Sequence, residues 1–230
     1  MCEDLPADRR RRQRLLRSLA GCIHDPRIAA ALQAIPRHYF VPDIVRAQAY
    51  DDTALPIGSG QTISQPQVIV LMLEALGVEP GMRVLDVGTG SGYAAALLSY
   101  LTGATGVVHS VEFHADLLTQ ARRSLAHFGA SAADHGRTAA GDAHAPVHLH
   151  QATSTIGLPE HAPYQIIHVA CAAQAVPEDL CQQLAVGGRM VCPIHHGPQE
   201  QRLLLISKQA DGKFEHKDLG GVLFVPLLSP

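Results

Sequence analysis

No apolar run in these 230 residues approaches the ~20 that a helix needs to cross a bilayer, and no signal-peptide core follows Met1. The expectation is a cytoplasmic protein with no membrane partner. Charge of one sign is scarce too: the formal net charge is −3, which leaves no general polycation for nucleic acid. The 14 histidines would shift that balance only in mild acid. Cysteines are few, at positions 2, 22, 171, 181 and 192, and they form no Cys-x-x-Cys pair, so reduced thiols are expected. The chain has no Gly-x-Ser-x-Gly elbow, and Cys171 has no evident partner base, which removes the usual carriers of hydrolase chemistry. It also lacks His-Glu-x-x-His. The His144, His148, His150 group and the His195-His196 pair come without ligand spacing, so no metal is expected.

What is present suits a single folded domain spanning residues 1–230, with 47% apolar and 17% charged residues. Its organising stretch is Val84-Leu85-Asp86-Val87-Gly88-Thr89-Gly90-Ser91-Gly92-Tyr93, followed by Ala94 to Leu98. The apolar run reads as a buried parallel strand and the Ala/Leu run as a helix packed on it. Glycines between them permit positive φ and let a ligand approach the main chain. A dinucleotide fingerprint would place its third glycine at the sixth position of the turn, where Tyr93 stands, so a pyrophosphate is disfavoured. A second strand, from Val107, ends in Glu112, an acid placed to accept hydrogen bonds from both ribose hydroxyls. A nucleoside without a pyrophosphate satisfies both observations.

Along the chain, Leu15, Leu16, Leu19, Cys22 and Ile23 recur at helical spacing, so the run Arg9 to Arg12 reads as the wet face of a helix. Asp25-Pro26 starts a second helix that Pro36 stops, and residues 1–47 form a helical cover. Residues 55–66 read as an ordered loop, with Ser64 at the N-cap of a helix that Gly77 ends. A helix through Leu117 to Phe128 follows Glu112, and Gly141-Asp142 closes a short segment with Asp142 near an adenine amino group. Residues 143–158 lack a period and read as a long loop or insertion. Tyr164 to Val169 is a strand, and the small residues Ala170 to Ala173 beyond it leave room for a ligand. A helix from Pro177, a turn at Gly187-Gly188, a strand from Met190, a hairpin pairing 203–206 with 213–216, and a last strand from Val222 to Leu227 complete the chain. The alternation predicts an α/β fold: a doubly wound, Rossmann-like, mostly parallel sheet with an antiparallel C-terminal hairpin.

The segments Ala49 to Asp52, Ala54 to Gly58 and Gln61-Thr62-Ile63-Ser64-Gln65-Pro66 resemble the signature of the protein-L-isoaspartate (D-aspartate) O-methyltransferases. Pro36-Arg37, Phe40-Val41-Pro42, Leu85 to Tyr93, Pro177 to Leu184, Gly187-Gly188 and Phe224 to Leu227 extend the resemblance over most of residues 30–230. It implies the class I methyltransferase fold and S-adenosylmethionine as cofactor, with S-adenosylhomocysteine as product. The implied reaction is methyl transfer to the free α-carboxylate of isoaspartyl, and possible D-aspartyl, residues in damaged proteins. The ester then closes to a succinimide that reopens partly to aspartate. The resemblance makes Ser64 the active-site serine. It assigns Ile57, Gly58, Ser59, Gly60, Gln65, Asp86, Gly88, Gly90, Glu112, Gly141 and Asp142 to the cofactor, with Asp86, Gly88 and Gly90 at its methionine part. Thr62, Ala172, Ala173 and Val225 fall to the substrate. The chain departs from the family's Gly-Asp-Gly at Ala143 and over the longer segment that follows. The partners implied are isoaspartyl proteins and peptides, not nucleic acid, and a monomer is expected. A different acceptor on the same fold, or a cofactor-binding protein without turnover, stays open at this point.

Overall fold

The computed structural model describes residues 4–127, 144–197 and 200–228. The apolar run before the glycine turn forms β3 (Arg83–Val87), an interior strand, third in the order of a seven-stranded sheet. With strands β4 (Val107–Glu112), β5 (Val147–Gln151), β6 (Tyr164–Val169), β7 (Leu184–His195), β8 (Gln201–Lys208) and β9 (Phe214–Val222), the order is β5-β4-β3-β6-β7-β8-β9. Pairing is parallel from β5 to β7 and antiparallel across β7, β8 and β9. The chain therefore fills one side of β3, then crosses back to the other. That reversal opens a crevice at the carboxyl ends of the central strands.

Side chains alternate across the sheet, so neighbours in sequence enter different cores. Val84, Val108, Ile166 and Val191 face one cluster, which also holds the buried faces of α3 (Pro66–Leu76), α4 (Tyr93–Thr102) and α5 (Ala115–Ala126). Leu85, Val87, Ile167 and Met190 face the other, covered by Leu158 and by α6 (Glu178–Gln183). Gly77 ends α3 in the left-handed conformation, φ 56°, as its position implied. The N-terminal cover consists of α1 (Pro6–Leu19), α2 (Pro26–Ala34) and two 3-10 turns, Arg37–Phe40 and Asp43–Gln48. Asp25 caps α2 by accepting from the Arg27 amide at 2.8 Å. Among the described residues no helix is long and apolar enough to cross a membrane.

Several local expectations fail for physical reasons. Helix α1 stops before Cys22, and the arginine face is not uniformly wet: Arg12 is buried, and donates to Asp4 Oδ2 at 3.0 Å and towards the Tyr50 hydroxyl at 3.4 Å. Residues 55–66 contain a hairpin, β1 (Leu55–Gly58) with β2 (Gln61–Ile63), turning through Ser59 at φ 51°. Ser64 does not cap α3. Gln65 holds that position, and the Gln67 amide is satisfied instead by Asp52 Oδ1 at 2.8 Å. The supposed loop 143–158 contains β5, whose histidine-rich sequence hid an edge strand held by five register pairs to β4. Gly187-Gly188 lies within β7, where a register irregularity absorbs it. The C-terminal hairpin is longer than expected, and among the described residues no strand follows Val222: residues 225–227 bond to the loop after β6. Phe128 and the segment ending at Gly141-Asp142 lie outside the described residues.

Candidate active site

The glycine turn after β3 is built by three positive-φ residues, Gly88, Gly90 and Gly92 at 91°, 54° and 89°. A side chain at Gly90 would bring its Cβ to 3.2 Å from Ile57 Cδ1, and one at Gly92 would sit 3.3 Å from Leu125 Cγ. The turn is thus pressed between the hairpin and α5, and only glycine fits it. Its main chain is tied to β4: the amides of Gly88 and Thr89 donate to Val111 O at 2.9 and 3.1 Å.

Glu112, at the end of β4, closes that junction. Its Oε2 accepts from the Gly90 amide at 2.7 Å and its Oε1 from the His114 amide at 2.8 Å. Each oxygen retains a lone pair for a hydroxyl, so the residue is an acceptor fixed in place. Beneath the turn runs a buried chain: Thr89 Oγ1 to Ser110 Oγ at 2.6 Å, Ser110 Oγ to Asp86 Oδ2 at 2.6 Å, and His168 Nδ1 to Asp86 Oδ1 at 2.7 Å. Asp86 is fully buried, and its carboxylate is hydrogen-bonded inside the sheet rather than on the cleft wall. It props the turn that a cofactor would touch.

Above the turn lies a cleft of about 910 Å³, partly open to solvent. Its walls are the glycine turn from Gly88 to Ser91, Glu112 to His114, residues 152–157 after β5, Gln61 to Ser64, Ala170, Cys171, and Val225 to Leu228. A second cleft, about 1160 Å³ of open space, lies between Thr53, Gln65, Val68, Gln201 and Gly221 to Val225. The two share four residues: Thr62, Ser64, Ala170 and Val225. Ser64 is half-buried at that boundary, and its hydroxyl makes no hydrogen bond to other described residues. Its main chain is held, however. Arg37, 1% exposed, donates to Ser64 O at 2.7 Å and to Thr53 O at 3.1 Å, and lies 5.6 Å from the centre of the Tyr93 ring. Burial lowers the Arg37 guanidinium to about 10, so it stays charged at neutral pH.

The expected residues divide accordingly. Thr62, Ser64, Gly88, Gly90, Glu112 and Val225 converge on the clefts, and Gln65 lines the second while donating to Asp52 at 3.0 Å. Gly58, Ser59 and Gly60 form the hairpin tip, and Ile57 packs under the glycine turn; none lines either cleft. Ala172 and Ala173 are buried, with their amides donating to Val225 O and Pro193 O, so the small-residue wall consists of Ala170 and Cys171 instead. Gly141 and Asp142 lie outside the described residues. Sequence reasoning missed the supporting role of Arg37, which stood only within a motif, and the cleft residues Thr89 and His114. Burial pushes the Cys171 thiol well above its ordinary range, so it is no thiolate at neutral pH.

A doubly wound sheet, a glycine turn without pyrophosphate geometry and a fixed ribose-type acceptor together define the class: a nucleoside-cofactor transferase of the S-adenosylmethionine type. Comparison with known proteins narrows this. Residues 10–230 match the family model described as Protein-L-isoaspartate(D-aspartate) O-methyltransferase (PCMT), and the chain belongs to that family. It is 45% identical over 206 residues to Protein-L-isoaspartate O-methyltransferase 2 of Marinobacter nauticus, covering 90% of this chain and 86% of that one. It is 38% identical over 214 residues to the Methanococcoides burtonii protein-L-isoaspartate O-methyltransferase, covering 93% and 98%. Among solved structures, one protein-L-isoaspartate O-methyltransferase superposes with a TM-score of 0.80 at 29% identity, over 94% of this chain and 65% of that one. A Plasmodium falciparum structure, described as a putative protein-L-isoaspartate O-methyltransferase in complex with S-adenosyl-L-homocysteine, shares the fold with a TM-score of 0.75 at 24% identity, over 93% and 96%.

Proposed function

We propose that this protein transfers a methyl group from S-adenosylmethionine to the free α-carboxylate of L-isoaspartyl residues in damaged proteins and peptides. The observation that carries the reading is the junction of the two clefts at Ser64, one bounded by the glycine turn and Glu112, the other open to solvent between Thr53, Gln65 and Gly221 to Val225. The residues fit the cofactor: the side-chain-free turn admits a close approach, and Glu112 presents two fixed carboxylate oxygens. When bound, S-adenosylmethionine supplies a methyl carbon on a positively charged sulfur.

The protein's own groups have a limited task. An α-carboxyl has a reference pKa of about 3.3 to 3.7, so the acceptor is already anionic near neutral pH and no base is needed to generate it. Ser64 donates its otherwise unclaimed hydroxyl to that carboxylate and orients it, while Arg37 fixes the Ser64 main chain from below. Such positioning is the main source of rate when neither reactant needs a proton moved. The buried thiol of Cys171, kept protonated, does not compete for the methyl group. The Asp142 assignment to adenine, with Gly141, remains part of this proposal. So do action as a monomer in the cytoplasm and the use of D-aspartyl sites. The acceptor is taken to be protein rather than nucleic acid, in line with the net charge of −3.

Incubation with labelled S-adenosylmethionine and matched isoaspartyl and aspartyl peptides tests the reading. Label is expected on the isoaspartyl peptide alone. Equal labelling of both, or none with cofactor bound, overturns it.

A further inference from the structure

We propose that His109, His150 and His161 form a binding site for a single divalent transition-metal ion of the zinc class, outside the active site. The three come from separate segments. His109 is on β4, His150 on β5, and His161 ends the 3-10 turn Pro159–His161. Each offers one ring nitrogen, and these atoms all lie within 4.8 Å of one another.

Parallel pairing sets the first two. Register places His109 beside His148, and His150 stands two residues further along the same face of β5, so all three rings project from one side of the sheet. The 3-10 turn then brings His161 over them, its ring centre 4.3 Å from that of His109 and 5.6 Å from that of His150. His109 Nδ1 and His150 Nε2 are 3.2 Å apart. Two imidazole nitrogens at about 2.0 to 2.1 Å from a tetrahedral ion stand roughly 3.3 Å apart, so this pair already has ligand spacing. His161, half-exposed on a surface turn, has to move its ring nitrogen inward by up to about 1.5 Å, from within 4.8 Å to tetrahedral spacing, to complete the set.

The donor set selects the ion. Three imidazoles with no carboxylate among them suit zinc, copper, nickel or cobalt and not calcium or magnesium, which take oxygen ligands. The fourth tetrahedral position falls to water. Arg83 approaches the site but donates to the His161 main-chain oxygen at 3.2 Å, leaving the ring free to ligate. Without an ion, the same rings are held by the His109–His150 hydrogen bond and by stacking of His109 on His148, His150 and His161.

The ion would fasten the edge strand β5 and the 3-10 turn to β4. Between those two ligand-bearing segments run residues 152–157, which form one wall of the cofactor cleft. The site is therefore a clamp on that wall, at a distance from the reacting atoms.

Chelator-treated protein titrated with zinc chloride alone, followed by calorimetry and by competition with a chromophoric chelator, tests the proposal. Expected are one zinc per chain, a cobalt complex whose absorption has the intensity of four-coordinate geometry, and a rise in melting temperature with zinc. H150Q and H161Q should each weaken zinc at least about tenfold, by analogy with losses at supporting positions. H216Q, at an exposed histidine outside the cluster, should leave zinc binding unchanged. His161 sits on a surface turn, so H161Q tests the site even where the more buried variants fold poorly. Zinc binding unaltered in both H150Q and H161Q, a six-coordinate cobalt spectrum, or no stoichiometric binding to the wild-type chain overturns the proposal.

Discussion

Arg37 and Ser64, 27 residues apart, are joined by a 2.7 Å hydrogen bond from the guanidinium Nη1 to the serine carbonyl. The arginine has no carboxylate partner among its hydrogen bonds; it spends a buried charge on main-chain oxygens of the segment that separates the two clefts. A charge-assisted hydrogen bond contributes roughly 1.5 to 3 kcal/mol. Replacing Arg37 by Met keeps the volume and removes the donors. Urea denaturation of Arg37→Met should show a loss of about 1 to 3 kcal/mol, because removal of the buried charge offsets part of the lost bonding. Turnover should fall more than tenfold in protein that remains folded by circular dichroism. Wild-type turnover in that variant would show that the Ser64 main chain needs no support.

Glu112 is the fixed acceptor of the cofactor cleft. Glu112→Ala removes both oxygens from the cofactor and leaves the amides of Gly90 and His114 without their acceptor. Affinity for S-adenosylhomocysteine should drop at least tenfold by calorimetry, since each charge-assisted bond contributes roughly 1.5 to 3 kcal/mol. An unchanged dissociation constant would remove Glu112 from the ribose.

Ser64→Ala should slow the reaction without abolishing it. In the proposed role the side chain orients an acceptor that is already nucleophilic, and no base among the described residues hydrogen-bonds the hydroxyl to activate it as a nucleophile itself. Loss of one positioning contact leaves measurable turnover. A methylated Ser64 trapped during turnover would contradict this role.

With saturating peptide, the single-turnover rate should be flat from about pH 6 to 8, because the acceptor's reference pKa of about 3.3 to 3.7 lies far below that window. His114 is the histidine on the cofactor-cleft wall among the described residues, so His114→Gln is the decisive control. A rising limb within that window that disappears in His114→Gln would establish a histidine base.

Stability should depend on pH through His38. Its ring is 1% exposed, Nδ1 meets the Tyr50 hydroxyl at 2.8 Å, and Nε2 has no partner. Burial lowers its pKa, with Arg46 adding to that effect and Asp8 opposing it. The unfolded chain, with an ordinary value near 6.5, therefore takes up a proton first as pH falls, and stability is lost below about pH 6.5. Between pH 7 and 5.5 the wild type should lose more unfolding free energy than His38→Gln, with a limit of about 1.4 kcal/mol per pH unit for the group. Identical slopes for the two proteins would show that His38 does not titrate on unfolding.

Legibility in the sequence followed the range of the interactions. The strand, glycine turn and helix around Gly88 and the helix ends at Asp25 and Gly77 depend on residues a few positions apart, and pattern alone found them. The burial of Asp86 was not legible because its partners, Ser110 and His168, become neighbours only through the register of β3 with β4 and β6. The strand at Val147–Gln151 was hidden by its histidines, which face a cluster that no single segment reveals. Ala172 and Ala173 looked like a ligand wall because they are small. Their main chain is instead consumed by the C-terminal segment and by β7. Arg37 gave no local signal at all, since its meaning lies in two carbonyls supplied by a distant loop.

The ladder between Ala172 and the residues after β9 also bears on biosynthesis. The Ala172 amide donates to Val225 O, and the Leu227 amide returns to Ala172 O, each at 2.8 Å, so Val225 and its neighbours reach both clefts only once this late segment has docked. Synthesis runs from the N-terminus at about 5 to 20 residues per second, and the sheet through β7 can assemble on the ribosome before residues 223–228 emerge. A nascent chain arrested before Val225 leaves the exit tunnel should therefore own its central strands yet fail to retain S-adenosylhomocysteine, and ligand capture should switch on only once Val225 and its neighbours have emerged and docked.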